Sequence, residues 1–527
     1  MNVQFLPLGA MATAAISGCL YSLSNVGFGY WPLAFIQFIP LWLAIDALSL
    51  SKHPLRNAAF LGFVFGLSAF SLGFPWLLTL TDTFLGSGII IGVFLWCLLG
   101  IWFSLGFSFY ALLYSALRKA KTSQILATTT PFILVEWLQP SLFPSYAGAS
   151  LISEPVLAQT ADLGGPLILS AFVVSINAAI YAILKSRLHK LAFPLVSTLL
   201  SIILILTVYF YGEHQIAKLI EEQGTTPVNT IKIGAIQSNL VMLDKHELAA
   251  KSHQSHLKQS KELLSNGDVD LLIWPETAYV RGLRRPLPID AQFIRQDIDV
   301  ALLFGGTSIW QRNGKKVSAN SVFLADKNGE IDQVYDKTIL IPFAEYIPFS
   351  NLLSNFEDQL DTLFPQRQNF HSEGMQNSLN LGEVSLITPI CYEIIFAEEI
   401  RELVKITKPN LIITVANDAW FGFTQEPWIH LSLARLRAIE HRLWMVRSTN
   451  SGISAVIDPA GNIITQTGLH TRENLRATVY PRSGTTFYTQ YGNWVGWLSL
   501  CFVFYGFRKL RRKPVNSPQV DSQSIDK

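Results

Sequence analysis

Cys391 stands between two stretches whose patterns predict different secondary structures. The mostly apolar run Val384–Ile390 predicts a buried strand, and the run Ile394–Val404 has apolar residues at helical spacing. The cysteine then lies on a sharp turn, exposed at a sheet edge. A nearby helix N-terminus favours the thiolate, which is the nucleophilic form. Cys391 is therefore a candidate nucleophile, and an ordinary buried packing residue is the alternative.

The distribution of the cysteines favours the nucleophile. Cys19, Cys97 and Cys501 lie inside long apolar segments, whereas Cys391 is the only cysteine of the more polar part of the chain. It therefore has no partner there for a disulfide. On an oxidising face of a membrane, an unpaired thiol is a liability unless its chemistry is used.

Two other predicted strand ends carry groups that could activate a thiol. Glu276 follows the buried run Leu271–Trp274, and Lys337 precedes the apolar run Thr338–Phe343. Catalytic groups of α/β proteins commonly lie where strands end. A desolvated glutamate has a raised pKa, which suits it to take and return a proton, and a lysine could stabilise an oxyanion. A partly buried salt bridge is the alternative for either residue taken singly.

Other chemistries have weaker support. His430 and His441 fall on one predicted helix face, where histidines more often pack or are solvated than catalyse. No Cys/His cluster has zinc spacing, and Phe304–Thr307 is too short for a phosphate loop. The net charge of +2, without a basic stripe, argues against a nucleic-acid partner.

Residues 225–485 alternate short apolar runs with amphipathic stretches, which predicts an α/β domain. Leu248–Leu264 and Ile429–Val446 are the predicted helices. Asp326–Glu330 and Asp458–Asn462 are predicted hairpin turns. The predicted strands are Ile231–Ala235, Leu271–Trp274, Ala301–Thr307, Ser321–Ala325, Ser385–Ile390, Leu411–Val415 and Ser454–Ile457.

The rest of the chain has the composition of a membrane protein. Half of all residues are hydrophobic, 15% are charged, and the mean hydropathy is +0.32. About eight apolar segments are long enough to cross a bilayer. They are residues 6–24, 30–49, 57–80, 88–116, 125–143, 163–184, 191–212 and 491–507.

The basic residues predict the orientation of these segments. Lys and Arg cluster after the second, fourth, sixth and eighth segments, and the alternate loops around Thr79–Leu85 and Ser141–Asp162 contain none. Because basic loops stay on the cytoplasmic side, both termini are predicted to be cytoplasmic. The predicted domains are a seven-span helical domain at 1–214, a periplasmic α/β domain at 225–485, an eighth span at 489–508 and a cytoplasmic polar tail at 509–527.

Several linked motifs resemble those of one known family. Trp274-Pro275-Glu276, Lys337 and Ile390-Cys391-Tyr392-Glu393 resemble the Glu-Lys-Cys signature of the nitrilase superfamily. Over nearly the whole chain, further motifs resemble a membrane branch of that superfamily, the apolipoprotein N-acyltransferases. These motifs are Pro342–Pro348, Asn417–Gly422, Arg447–Ser454 and Tyr488–Trp494. The resemblance implies an αββα sandwich for the α/β domain.

The resemblance also implies a mechanism and a location. Cys391 attacks an acyl ester of a membrane phospholipid, Glu276 takes the thiol proton, and Lys337 stabilises the oxyanion. The resulting thioester passes its acyl chain to the α-amine of the diacylglyceryl-cysteine of an apolipoprotein. No metal or organic cofactor is implied, and the location is the bacterial cytoplasmic (inner) membrane.

Three further residues have supporting roles by this resemblance. Glu345 and Glu393 orient Lys337 and the thiol, and backbone N–H groups from Tyr392 onward complete the oxyanion site.

Two rival functions and one structural hypothesis accompany this prediction. The rivals are a membrane-tethered amidase, in which water resolves the thioester, and a transporter with an outer sensor domain. The few ionisable residues within the spans, chiefly Asp46 and Glu136, argue against transport. The hypothesis is a lid that dips towards the membrane, with an ordinary packed helix as the alternative. Its apolar residues are Phe349, Leu352, Leu353, Phe356, Leu360, Leu363 and Phe364.

Overall fold

The computed structural model describes residues 6–83, 86, 88–225, 230–240, 245–348, 354–364, 368–374 and 377–511. Most of the predicted polar tail therefore lies outside the described residues. The chain up to residue 225 is helical. Its helices are α1 (Leu8–Leu23), α2 (Ile39–Ala47), α3 (Pro54–Gly73), α4 (Trp76–Thr83), α5 (Gly88–Lys119), α6 (Gln124–Leu138), α7 (Pro155–Ala158), α8 (Ala161–Leu188) and α9 (Leu195–Thr225).

Four of the described helices, α3, α5, α8 and α9, are long and apolar enough to cross a membrane. The helices α5 and α9 also carry large apolar side chains on their outer surface. Ile90 and Val196, for example, are 84% and 72% exposed. Such surface is expected where a helix faces lipid. The structure thus contains several apolar helices beside an α/β domain, and the total of eight spans stays a prediction.

Three of the predicted apolar segments are not single straight helices. Segment 30–49 is a 3₁₀ turn at Trp31–Phe35 followed by α2, and segment 57–80 is split between α3 and α4. Within α8, Gly164 and Gly165 leave helical geometry. Proline follows each of these breaks, and its missing N–H and its ring disfavour an uninterrupted helix.

The α/β domain contains fourteen described strands. Its helices are α10 (Lys245–Leu264), α11 (Gln292–Arg295), α12 (Glu357–Leu363), α13 (Ala397–Thr407) and α14 (Glu426–His441), and α15 (Phe487–Tyr491) and α16 (Trp494–Arg511) follow. The strands are β1 (Ile231–Gln237), β2 (Leu271–Ile273), β3 (Tyr279–Arg284), β4 (Ile289–Asp290), β5 (Ala301–Arg312), β6 (Lys315–Ala325), β7 (Glu330–Asp336), β8 (Leu379–Leu381), β9 (Val384–Ile387), β10 (Leu411–Ala416), β11 (Met445–Thr449), β12 (Ala455–Ile457), β13 (Ile463–Gln466) and β14 (Glu473–Val479).

The strands form two sheets that pack face to face. One has the order β14-β1-β2-β5-β6-β7-β4 with β3 beside β5, and the other has the order β13-β12-β11-β10-β9-β8. In β2, Leu271 and Ile273 join the core shared with the second sheet, whereas Leu272 packs on the side of α10. Helices α13 and α14 contribute to the core around the second sheet. The layers are therefore helix, sheet, sheet, helix.

The seven predicted strands exist, and both predicted hairpin turns join antiparallel strands. The predicted helix Ile429–Val446 is wrong at its C-terminal end. The helix stops at His441, Arg442 adopts a left-handed conformation with φ 55°, and Met445 begins β11. The first two residues of β11, Met445 and Val446, are apolar and therefore continue the helical pattern in the sequence.

The helical part and the α/β domain are joined by polar contacts. Arg442 Nη2 forms an ion pair with Asp162 Oδ2 at 2.7 Å, and Gln159 Nε2 donates to the carbonyl of Ala460 at 2.9 Å. Apolar residues of α8 belong to the same core as α14. The α/β domain is thus fixed on the helices rather than tethered to them.

Candidate active site

Glu276 lies just beyond the C-terminal end of β2. The preceding Trp274 is fully buried, and its Nε1 donates to Ser260 Oγ at 2.9 Å. Strand β5 passes directly beneath the turn, where a Cβ atom on Gly305 would lie 2.6 Å from the Cα of Glu276. Only a glycine allows this close approach without displacing the turn.

Lys337 follows β7 and is 1% exposed. Its N–H donates to the carbonyl of Asn320 at 2.8 Å, which continues the pairing of β6 and β7 past the last residue of β7. The ammonium Nζ lies 2.8 Å from Glu345 Oε1 and 3.7 Å from Glu276 Oε1. The structure therefore brings Glu276, Lys337 and Glu345 together in one buried cluster.

Asn320 is a member of this cluster that the sequence analysis missed. Its Nδ2 donates to Glu276 Oε1 at 2.7 Å and lies 3.3 Å from Glu345 Oε1. It holds both carboxylates beside Lys337. The available signal was its place beside the buried strand predicted at Ser321–Ala325, but a lone asparagine at a strand end has no specific meaning in a sequence.

Cys391 begins a short 3₁₀ turn at Cys391–Ile395, directly after a strand-like residue, Ile390, that bridges to Val415. Its φ of 51° lies in the left-handed region, and the predicted sharp turn is therefore present. The predicted exposure is wrong, because Cys391 is only 6% exposed. The predicted α-helix starts later than expected, since α13 begins at Ala397.

The protonation states follow from this burial. Burial raises the pKa of the Cys391 thiol well above its usual range, and the Glu276 carboxylate adds to the effect. The prediction that a helix N-terminus favours the thiolate of Cys391 is therefore wrong for the resting site. Burial also raises the pKa of Glu276, although Lys337 opposes it. Burial alone would lower the pKa of Lys337, but Glu345 and Glu276 reverse this and raise it.

These states make Glu276 the group placed to take the thiol proton. The Cys391 thiol and the Glu276 carboxylate line the same cavity, and the negative charge of Glu276 helps to raise the pKa of the thiol. A thiol beside a carboxylate of raised pKa can transfer its proton when an electrophile arrives. Lys337 remains a buried positive charge next to both groups.

Glu393 connects the segment that carries Lys337 to the turn that carries Cys391, and it does not point at the thiol. Its Oε2 accepts from the N–H of Ile390 at 2.7 Å and from the Tyr335 hydroxyl at 3.0 Å. Its Oε1 accepts from the Thr338 N–H at 2.5 Å. One carboxylate thus binds the residue before Cys391 and the residue after Lys337.

Tyr392 points towards the helical part of the chain. Its hydroxyl donates to the carbonyl of Leu142, and its ring packs edge-on against Phe143 with centroids 5.4 Å apart. The turn that carries Cys391 is therefore in contact with the loop after α6.

His430, which the sequence analysis regarded as a packing residue, contacts the Cys391 turn. Its Nε2 donates to the carbonyl of Cys391 at 3.1 Å, and its Nδ1 lies 3.1 Å from Asp418 Oδ1. Asp418 pairs with Arg447 at 2.7 Å. Burial alone would raise the pKa of Asp418, but Arg447 and His430 lower it to about 2. This buried network fixes the backbone of the turn.

The three candidate catalytic residues line one cavity of about 260 Å³. Apolar residues of α4, of the loop after α6 and of the Asp418–Phe421 turn form much of its wall. From these elements come Leu80, Phe143, Trp420 and Phe421, while Tyr392 and Ile395 belong to the Cys391 turn and Ile341 to the segment after Lys337. Among the described residues, no group of three or more His, Cys, Asp or Glu side chains could hold a metal ion.

The segment predicted as a lid is only partly described. Phe349, Leu352 and Leu353 lie outside the described residues. Phe356 is 55% exposed, whereas Phe364 is buried and packs with Ala344. Residues of α5, Ile91 and Leu95, complete this small cluster. The segment thus contacts an apolar helix, and the lid stays a prediction.

Two family descriptions match different parts of the chain. Residues 232–485 match the carbon–nitrogen hydrolase family. Residues 17–179 match the N-terminal domain of apolipoprotein N-acyltransferases. The first match covers the α/β domain described above, and the second covers most of the helical part.

Curated relatives match the chain over most of its length. An apolipoprotein N-acyltransferase of Rhodopseudomonas palustris is 32% identical over 482 residues, which is 86% of this chain and 87% of the relative. One of Photobacterium profundum is 28% identical over 510 residues, 93% of each chain. Among solved structures, a Saccharomyces cerevisiae member of branch 10 of the nitrilase superfamily covers 48% of this chain and 90% of its own, with 17% identity and a TM-score of 0.38.

Proposed function

This chain belongs to the apolipoprotein N-acyltransferase family, and on that premise we propose that it N-acylates lipoproteins through a thioester on Cys391. The acyl donor is a membrane phospholipid, and the acceptor is the α-amine of a diacylglyceryl-cysteine. The observation that carries the proposal is the buried cluster of a thiol, a carboxylate and an ammonium around one largely apolar cavity.

The first half-reaction loads the acyl chain. Sγ of Cys391 attacks the ester carbonyl carbon while Glu276 takes the thiol proton. The oxyanion that forms is stabilised by the buried charge of Lys337. The carbon–oxygen bond of the ester then breaks, and Glu276 returns the proton to the leaving oxygen. A lysophospholipid leaves, and the thioester remains.

The second half-reaction transfers the acyl chain from Cys391 to the acceptor. The acceptor nitrogen uses its lone pair to attack the thioester carbon, and Glu276 takes the proton that the nitrogen loses. The carbon–sulfur bond breaks with its electron pair on Sγ, which regains a proton from Glu276. An amide is formed, and the enzyme returns to its starting state.

Supporting groups have roles that follow from their contacts. Glu345 holds the Lys337 ammonium at 2.8 Å, and Glu393 binds the backbone beside both Lys337 and Cys391. The backbone N–H of Tyr392 completes the oxyanion site. Since Glu345 and Glu393 are buried, their hydrogen bonds restrict the catalytic side chains to one arrangement.

The proposal also includes the place of the enzyme in the membrane. Eight spans leave both termini in the cytoplasm and the α/β domain on the periplasmic face, as the basic loops indicate. Both substrates are lipids of that face. A soluble enzyme would have to extract their chains into water, at a cost of about 0.8 kcal/mol for each CH₂ group. Because the relatives are named as N-acyltransferases, the amidase alternative is disfavoured.

A direct test follows the acyl chain to the acceptor. The purified enzyme is incubated with phospholipid and a peptide that begins with diacylglyceryl-cysteine, and the peptide is analysed by mass spectrometry. We expect a gain of one acyl group in a hydroxylamine-resistant amide, and no gain with Cys391→Ala. Free fatty acid without acylated peptide would instead support the amidase.

A further inference from the structure

Besides Glu276 and Glu345, the cavity contains a third buried carboxyl group, which the mechanism above does not use. Glu426 lies in the first turn of α14, is 6% exposed and lines the cavity together with Cys391. Its Oε2 is buried and has no hydrogen-bond partner among the described residues. Buried carboxyl groups are ordinarily paired, so Glu426 is a group that could bind a polar ligand in this cavity.

The neighbouring charges do not supply that partner. The charge of Arg447 acts on Glu426, but the ion pair of Arg447 is with Asp418 at 2.7 Å, and its buried Nη1 forms no hydrogen bond with any described residue. Its Nε donates to the carbonyl of Ile453 at 3.2 Å. Lys337 is held by Glu345 at 2.8 Å. Burial and the Asp418 carboxylate raise the pKa of Glu426 well above its usual range.

The position of Glu426 places its ligand close to the nucleophile. His430, four residues later on α14, contacts the carbonyl of Cys391 at 3.1 Å. Residues four apart share one face of a helix and are separated by about 6 Å along its axis. Glu426 therefore lies about one helical turn from the residue that touches Cys391, on the side that opens into the cavity.

We infer that Glu426 is the binding group for the amino group of the acceptor. This inference rests on the proposed function, and it identifies which side chain presents the attacking nitrogen to the thioester. A carboxyl group is the natural partner of a primary amine. When the amine enters as the free base and Glu426 is protonated, no net charge is moved into the buried site, which avoids the desolvation cost of an isolated ion.

The proton balance of aminolysis leaves Glu426 unchanged. The nitrogen forms the amide bond with its lone pair, one N–H proton passes through Glu276 to Sγ, and the remaining N–H donates to Glu426. Any proton shared between Glu426 and the amine returns before the attack, because only the free base carries the lone pair. Glu426 thus binds and orients the nucleophile, and Glu276 remains the general base.

A primary amine could also come from the head group of the donor phospholipid. In that lipid, the amine is separated from the reacting ester by the glycerol and phosphate groups. The acceptor nitrogen, in contrast, must reach bonding distance of the thioester carbon on Cys391. The closeness of Glu426 to the Cys391 turn therefore favours the acceptor.

The test separates loading from unloading in Glu426→Leu, because leucine removes the acceptor of the carboxyl group, whereas glutamine would keep a carbonyl acceptor. Acyl-enzyme formation is followed by intact-protein mass with phosphatidylethanolamine or phosphatidylglycerol as donor. The preloaded enzyme is then mixed with increasing amounts of a diacylglyceryl-cysteine peptide. The matched control is Trp428→Phe, two residues away on the same helix and 41% exposed.

We expect Glu426→Leu to load at the rate of the native protein, which also shows that it is folded. Its rate of aminolysis at low acceptor concentration should fall about twofold to tenfold, the range for loss of a hydrogen bond between neutral groups. Unchanged aminolysis would overturn the inference. Slower loading from phosphatidylethanolamine alone would assign Glu426 to the donor head group and overturn it too. Failure of the native protein to load would refute the proposed function itself.

Discussion

At the scale of single residues, the site is a set of buried charges that fix one another's protonation. Glu276 shares Lys337 with Glu345, and Asn320 donates to Glu276. Burial raises the pKa of Glu276, whereas Lys337 lowers it and Glu345 raises it again. The proton affinity of the proposed base is therefore set jointly by its neighbours.

Replacement of Glu345 by glutamine should move the pH dependence of loading in a defined direction. Glu276 acts as a carboxylate, so the rate of acyl-enzyme formation rises as pH increases through its pKa, which lies above the ordinary value of 4.5. Because the Glu345 charge raises that pKa, Glu345→Gln should lower it and shift the acid limb to lower pH. Single-turnover loading measured across acidic and neutral pH checks this.

The control for this experiment is Glu330→Gln, at the exposed start of β7, which should leave the acid limb unchanged. An acid limb that stays in place in Glu345→Gln would mean that another group governs loading. A shift of the acid limb to higher pH would mean that Glu345 lowers the pKa of Glu276 instead of raising it.

The sequence was sufficient to predict some of these residues and not others. Glu276, Lys337 and Cys391 each stand beside an apolar run, so their meeting could be predicted from strand ends. Asn320 and His430 could not be predicted, because their roles depend on hydrogen bonds to residues far away in the sequence: Glu276 is 44 positions from Asn320, and Cys391 is 39 positions from His430. The burial of the thiol was also missed, since it depends on Tyr392 and Phe143 packing at the cavity wall.

At the scale of elements, the site depends on strand ends in both sheets: Glu276 and Lys337 follow β2 and β7 of the first sheet, and Cys391 follows β9 of the second. Strand β5 lies beside β2, and Gly305 of β5 allows the turn at Glu276 to pack directly against β5. The buried strands were predictable from their apolar runs. Strands β7 and β14 were missed, because they alternate charged and buried residues at the rim of the sheet.

Gly305→Ala should therefore impair catalysis without touching a charged group. The new Cβ would lie 2.6 Å from the Cα of Glu276 and 2.7 Å from the carbonyl oxygen of Pro275, so the turn must move. We expect loading to slow by about a hundredfold, as for a displacement of about 1 Å at a reacting group. We also expect a loss of about 1–3 kcal/mol in the free energy of unfolding.

The adjacent Gly306→Ala is the matched control, because its nearest neighbour, the carbonyl oxygen of Tyr279, lies at 3.1 Å. Single-turnover loading and thermal unfolding in detergent provide the two measurements. Equal effects of the two substitutions would mean that contact with the Glu276 turn is not the cause.

At the scale of the whole molecule, the α/β domain is fixed on the apolar helices at several points. Arg442 binds Asp162, and Tyr392 and Phe143 connect the catalytic turn to the loop after α6. The class of each part could be predicted from composition. The interface could not, because residues such as Asp162 and Arg442 are 280 positions apart and carry no shared pattern.

Both the helical part and the α/β domain contribute residues to the cavity wall. Leu80 belongs to α4 and Phe143 to the loop after α6, while Cys391 and Lys337 come from the α/β domain. The cavity thus places apolar side chains beside the thiol, where they could contact a lipid chain. The proposed function depends on the covalent attachment of such a chain to Cys391.

The most direct test is the intact mass of the detergent-purified protein after incubation with phospholipid and no acceptor. We predict a gain of one acyl mass that hydroxylamine removes and that Cys391→Ala lacks. An adduct that persists in Cys391→Ala, or the absence of any adduct while an acceptor peptide is still acylated, would contradict the thioester.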